Sequence, residues 1–517
     1  MSHRPIAAER GARTSTTWFP LAVATLLLLV AAVARGAELY DLTPAADLNG
    51  SERVTVEIEF GGELLAKDLQ QQAGMTAAEE PAESAPRRAP MKVEATLAFD
   101  EQRVSEQRSV RYYRRAEATI QAGAGRRLPA LPTGRRLILA TRASTPAGAK
   151  LTLTSPDGPL NREQLELIDV ISDATAIDRL LPGEALEKGG EWPVDKPTMA
   201  ALLGLDTVAV SEVRCILDDG NKRYARFQMA GSVHGALDGA ATEFNIRAIG
   251  LFSRRQRRVT QLNLAMTEKR EVGPARPGVE GTAKIKIKRA PIATPAELTD
   301  GAVAGLAGST ELTLQAARQG FRLTHDRSWH VAAETREALT LRRVSETGLL
   351  AQTTLRRRPP KSAGRRPTLE SFEEEVRFSL GGAFTRLVSS EQWESQSGCP
   401  CLGLVVEGEA DGVPLQWRYY LVMPSDAQGD GVKHTIALAT TVEAALADRV
   451  GAADRQLADR LELVAPLKGA PGIAALEPAP TSTSKPTTRR RKAARIATKP
   501  KRTAARPSRR SSAPRRR

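Results

Sequence analysis

Ala283-Lys284-Ile285-Lys286-Ile287-Lys288 alternates an aliphatic side chain with a lysine at every step. That period of two belongs to a β-strand with one face buried and the other in water. Upstream, strand patterns recur near 208–217, 224–230, 244–252 and 259–266, with Asp218-Asp219-Gly220 and Leu237-Asp238-Gly239 as hairpin turns. A run of antiparallel strands is therefore expected here, wet on one side.

Earlier in the chain, residues 54–60 make the first convincing strand, and a stretch rich in Gln, Ala, Glu and Pro at about 61–90 reads as a polar insertion. Val110, Tyr112, Ala116, Ala118 and Ile120 fall on one face of a further strand. Arg111, Arg115, Glu117 and Thr119 take the other, and Arg114 interrupts the apolar side. Behind Asn161 as N-cap, Leu165, Leu167, Ile168, Ile171, Ile177 and Leu180 recur near helical spacing. Together these elements predict a β-rich domain over 38–290.

Residues 291–310, rich in Pro, Ala, Gly and Thr, read as a linker to a second domain over 311–465. Strands are predicted there at 321–331, 339–355, 402–406, 415–423 and 434–440. Thr368 caps a helix whose Leu369, Phe372, Val376 and Leu380 share a face, and Gly381-Gly382 ends or kinks it. Leu415, Trp417, Tyr419, Leu421 and Met423 point one way, and the stripe Val442, Leu446, Val450, Ala453, Leu457, Leu461 predicts a long helix, to about 463, that covers them. The expected fold class is α+β: two mainly antiparallel β domains with packed helices, followed by a disordered basic tail over 466–517.

The net charge of +15 is not spread along the 517 residues, because 481–517 hold 15 Lys and Arg and no Asp or Glu, which leaves the rest of the chain balanced. An anionic partner is accordingly expected on the tail, at Arg489, Arg490, Arg491, Lys492, Lys499, Lys501, Arg502, Arg509, Arg510, Arg515, Arg516 and Arg517. Such a segment neutralises successive phosphates or other anions with strong salt dependence, and without Phe, Tyr or Trp it has no ring to stack on bases. A solubilising extension is the plainer alternative.

At the other end, Arg4, Arg10 and Arg13 precede an apolar run from Trp18 to Ala34 and the small-residue sequence Ala34-Arg35-Gly36-Ala37. That order predicts a signal peptide over 1–37 and an exported, periplasmic or extracellular protein, with a single N-terminal membrane anchor as the alternative. Cys215, Cys399 and Cys401 are too few for a disulfide framework. They read as small core residues, against a bridge from Cys215 to one of the pair or a soft-metal site.

Few residues suggest catalysis. Gly231-Ser232-Val233-His234-Gly235 puts its serine one place early for a nucleophile elbow and reads as a turn that needs glycines. His325, Asp326 and His330 bear metal-ligating groups, but the two histidines face opposite sides of an extended chain, so a polar turn before a buried Trp329 is the preferred reading. Glu373, Glu374 and Glu375 read as a solvated helix face. No cofactor or metal is expected, and the chain reads as non-enzymatic.

Phe321-Arg322-Leu323, Asp326-Arg327-Ser328-Trp329-His330-Val331, the strand from Pro414 to Met423, the helix capped by Thr368 and the final strand-helix pair resemble the Mog1/PsbP-like fold family. The resemblance implies a non-catalytic module that contacts partners. Leu181-Pro182 through Gly190-Glu191-Trp192-Pro193 is similar to a motif of secreted bacterial β-domain proteins related to lipoprotein carriers. That likeness implies an apolar groove. The functional expectation is an exported envelope protein that works as a binding or scaffold module, its tail holding an anionic envelope polymer, an anionic lipid surface or nucleic acid. Carriage of a lipid-like apolar ligand in the first domain is the alternative. Nucleic-acid binding would follow if the chain were not exported.

Overall fold

The computed structural model describes residues 38–45, 50–66, 86–145, 148–346, 348–359, 366–425 and 433–467. The expected signal segment, part of the polar insertion and all twelve anion-binding candidates of the tail lie outside the described residues. Strand takes 58% of what is described and helix 15%. The class is therefore mainly β instead of the expected α+β, because the helices are short and lie on sheets that carry most of the backbone hydrogen bonding.

The first lobe contains β1 (Leu39–Asp41), β2 (Ser51–Ala66), β3 (Arg87–Arg103), β4 (Arg108–Ala122), β5 (Gly125–Arg127), β6 (Leu137–Thr145) and β7 (Gly148–Thr154). The stretch expected as an insertion at 61–90 is thus strand at both of its ends. Three helices follow, α1 (Arg162–Ile168), α2 (Ala174–Asp178) and, after β8 (Ala185–Glu187) and β9 (Glu191–Pro193), α3 (Lys196–Leu203). Then come β10 (Thr207–Ser211), β11 (Arg214–Gly220), β12 (Tyr224–Leu237), β13 (Ala240–Ser253), β14 (Arg258–Arg270) and β15 (Gly278–Ile292). Thirteen of these strands form one sheet among the described residues, ordered β7-β6-β4-β3-β2-β15-β14-β13-β12-β11-β9, with β5 on β4 and β10 on β12. The turn between β12 and β13 is Asp238-Gly239, with φ of 50° and 75°, the left-handed pair that a two-residue hairpin requires.

The interruption at Arg114 marks a bulge. Phe99 pairs with Tyr113 but Ala98 pairs with Arg115, so Arg114 is the extra residue and the strand changes face there. Arg111 and Tyr113 are consequently buried on the inner side together with Ala116 and Ala118. Val110 lies on the outer side, where it packs with Leu139 beneath Leu298 and Val303 from the segment after β15. Single-face alternation across 110–120 is thus corrected: an extra residue shifts the period by one.

The inner face is filled by the helices, and Leu165, Ile168, Ile177, Met199 and Leu202 share one core with Val54, Phe99, Phe227 and Ile287. Asn161 caps α1 as expected: its side chain accepts from Gln164 N at 2.7 Å and Gln164 returns an acceptor to Asn161 N at 3.0 Å. Two buried ion networks hold α2 to the sheet. Asp173, the N-cap of α2, pairs with Arg142, which lies 4.0 Å from Glu101, itself bound to Arg111 at 2.9 Å and to Ser109 at 2.7 Å. At its other end, Asp178 meets Arg289 at 2.7 Å, and Arg289 also meets Glu52 at 3.0 Å. One further helix joins the ends of the sheet: α3 packs against both β7 and β10, and beside it Lys150 of β7 pairs with Asp206 at 2.9 Å.

The segment after β15 includes α4 (Asp300–Val303). The second lobe is built from β16 (Leu312–Ala316), β17 (Phe321–His325), β18 (Trp329–Glu334), β19 (Ala338–Ser345), β20 (Gly348–Arg358), α5 (Leu369–Leu380), β21 (Phe384–Glu394), β22 (Pro400–Ala410), β23 (Val413–Val422), β24 (Thr435–Glu443), α6 (Ala447–Val450), α7 (Ala453–Asp459) and β25 (Leu461–Leu463). Its sheets are ordered β16-β17-β25 and β18-β19-β20-β24-β23-β22-β21. Thr368 caps α5 as the sequence predicts, accepting from Ser371 N at 3.3 Å. The long helix over 442–463 does not form: Val442 belongs to β24, Leu461 to β25, and Gly451, at φ 55°, breaks what lies between. The face carrying Tyr419, Leu421 and Met423 is covered instead by Phe372 and Val376 of α5. α7 takes the opposite face, where Asp454 accepts from Arg418 at 2.9 Å and from Tyr420 at 3.0 Å.

Candidate functional site

Strand alternation sends Cys215, Met229, Ala248, Leu264 and Ile285 into the core of the first lobe and leaves their neighbours on the outer face. There a trough of about 990 Å³ crosses the sheet. Two cross-strand rows line it. The first runs Glu57, Lys286, Asn263, Ile249, Gln228, Ile216, Glu191, each opposite the next in register. The second runs Glu59, Lys284, Ala265, Arg247, Ala230, Arg214. Residues directly opposite in an antiparallel pair share a face, so each row is a physical line perpendicular to the strands.

The second row alternates cation and alanine. Lys284, Arg247 and Arg214 are therefore two strands apart, about 10 Å at the usual strand spacing, with recesses at Ala265 and Ala230 between them. Lys286 meets Glu57 at 3.3 Å, and both are largely exposed. Arg214, Arg247 and Lys284 form no ion pair and no side-chain hydrogen bond among the described residues. Beneath the floor, burial pushes the Cys215 thiol up to about 12, which keeps it protonated and inert. The chemistry available in the trough is charge pairing at the cations and, at its edges, at Glu57, Glu59 and Glu191, hydrogen bonding at Gln228, and apolar contact at Ile216 and Ile249.

No protein-family model matches the sequence, and no curated protein does. Among solved structures, part of the chain is similar to one described as lipid-protein interactions in lipovitellin, at 6% identity and a TM-score of 0.27, over 51% of this chain and 27% of that one. The translocator domain of the autotransporter NalP from Neisseria meningitidis aligns at 9% identity over 81% of this chain and 94% of its own, with a TM-score of 0.10. The outer membrane protein OprD from Pseudomonas aeruginosa does so at 7%, over 79% and 97%, with a TM-score of 0.11. This chain thus spans about a quarter of the lipovitellin chain.

The sequence candidates in the lobes fall elsewhere. Ser232 lies within β12, and Gly231 marks the point where β12 changes partner from β11 to β10. A Cβ on Gly231 would come within 2.4 Å of Glu212 O, so the glycine serves strand crossing and not the expected turn. His325 and His330 are buried at the junction of the lobes, with His325 Nδ1 2.7 Å from Asp326 O. Burial, with the cations of Arg162 and Arg276 nearby, lowers His330 to about 2. No group of metal-ligating side chains occurs among the described residues. Glu373 pairs with Arg377 at 2.9 Å along the helix surface, and the three cysteines are buried and form no disulfide among the described residues. Arg214, Arg247, Gln228 and Asn263 were not singled out from sequence, because their importance lies in register.

Proposed function

We propose that this protein is a non-catalytic, exported binding protein for extended anionic polymers, which it holds in the trough of its first lobe and with its basic tail. The line of Lys284, Arg247 and Arg214 carries this reading: three exposed cations at regular spacing across one sheet face, none of them held in an ion pair among the described residues, with Glu59 opposite Lys284 at one end. Two cationic elements on one chain act on the same polymer by effective concentration, so each strengthens the other. Carriage of an apolar ligand inside the sheet is less well supported, because α1, α2 and α3 already fill the inner face.

Elution from a carboxylated polymer resin in a salt gradient tests the reading on three proteins: the full chain, a variant ending at residue 480, and the full chain with R214Q, R247Q and K284Q. Both changes are expected to lower the eluting salt concentration, since each cation lost removes about one released counterion from the salt dependence. Elution of the triple variant with the parent would remove the trough from the account.

A further inference from the structure

The rows of the trough carry a repeat length as well as a charge, and that length selects a ligand conformation. Successive cations in the second row are separated by two strand spacings, about 9.4–9.8 Å. In the first row Asn263 and Gln228 are separated by the same two steps, and so are Ile249 and Ile216. A ligand in extended β conformation repeats its side chains on one face about every 6.7 Å, out of step with the cations. An α-helix is about 10–12 Å across, too thick for a strip two side chains wide. A polyproline II helix has three residues per turn and rises about 3.1 Å per residue, so one face repeats every ~9.3 Å.

On this ground, and resting on the reading of the trough as an anion site, we infer that its ligand is an acidic, proline-rich peptide in the polyproline II conformation, with a carboxylate at every third residue. One edge of such a helix presents its carboxylates to Arg214, Arg247 and Lys284. A second edge lays prolyl rings on Ile216 and Ile249. Its main chain forms no internal hydrogen bonds, and the exposed carboxamide of Gln228 offers both a donor and an acceptor to it. Grooves for proline-rich peptides are usually lined by aromatic rings, whereas the residues around this trough include none. Charge periodicity therefore supplies the specificity, and binding weakens steeply with salt.

The test compares two isomeric peptides at low salt by isothermal titration, both acetylated at the N-terminus and amidated at the C-terminus. One repeats the triplet glutamate-proline-proline three times; the other has the three glutamates in a block followed by the six prolines. Each is titrated into the full chain and into the full chain carrying R214Q, R247Q and K284Q, so that the tail contributes equally on both sides. The every-third peptide is expected to bind the parent about tenfold more tightly, as three matched exposed pairs allow, and the preference disappears in the triple variant. Equal affinity for the two isomers, or a preference that survives in the triple variant, overturns the inference. If the triple variant still loses retention on the carboxylated resin while the isomers are not distinguished, the polyproline II assignment fails alone and the anion site stands.

Discussion

A guanidinium nitrogen of Arg162, in the first lobe, donates to the main-chain carbonyl of Arg327, in the second, at 2.7 Å, and to that of Trp329 at 3.0 Å. Arg327 returns the contact, donating to the carbonyl of Leu153. Each arginine thus satisfies backbone on the opposite side of the junction. Charged donors contribute about 1.5–3 kcal/mol per hydrogen bond, so Arg162→Ala is expected to cost about 2 kcal/mol or more. Calorimetry is expected to show one transition for the parent and two for the variant.

Arg289 lies between Glu52 and Asp178 with almost no exposed surface. Removing a buried charge that leaves its partner alone costs about 3–5 kcal/mol; here Arg258 stays 3.1 Å from Glu52 and Arg103 3.3 Å from Asp178, so the loss falls below that range. Arg289→Met should lower the urea midpoint accordingly. The triple substitution E52Q, D178N, R289M should recover only part of the loss, because Arg258 and Arg103 then lose their carboxylates.

Acid sensitivity has a named source. Burial alone would raise the Glu101 carboxyl, but Arg111 and Arg142, with the hydroxyl of Ser109, outweigh it and lower it to about 2. The folded value lies below the unfolded one of about 4.3. The stabilisation is therefore complete above that pH and lost as pH falls towards 2, on the order of 3 kcal/mol. Denaturation of E101Q across this window should show a flatter acid limb than the parent.

His330 acts at higher pH with the same sign. Its folded value of about 2 lies far below the unfolded value of about 6.5. The unfolded chain therefore takes up a proton first, and stability falls as pH drops below about 6.5. Between pH 7 and 5 the loss is about 2 kcal/mol, and H330Q should reduce it. The ring resonances of His330 should not titrate across that range in the folded protein.

Cys215, Cys399 and Cys401 are buried and form no disulfide among the described residues, and burial raises both Cys215 and Cys401 to about 12. An aromatic disulfide reagent at pH 8 should find no reactive thiol in the folded lobes and three in denaturant. Fast labelling before unfolding would contradict the packing around Cys399 and Cys401.

What could be read from the sequence followed the range of the forces involved. The Asn161 and Thr368 caps, the alternation through Ile285 and Ile287, and the turn at Asp238-Gly239 are local, and each appeared where its residues pointed. That turn also sets Arg247 opposite Ala230, so part of the second row was legible in principle. Only Glu57 and Glu59 required β15 to pair with β2 across more than two hundred residues, and no local pattern encodes that contact. The stripe from Val442 to Leu461 misled because strand, turn and short helix happened to bury residues at helical intervals. Only Gly451 signalled the break.

The tie between β7 and β10 has a mechanical corollary. With α3 wedged across the opening and the Lys150–Asp206 bond beside it, the first lobe behaves as a bow whose string is eight residues long. Flattening the outer surface means stretching that string, so the freedom of one face of the sheet is set by a helix on the other.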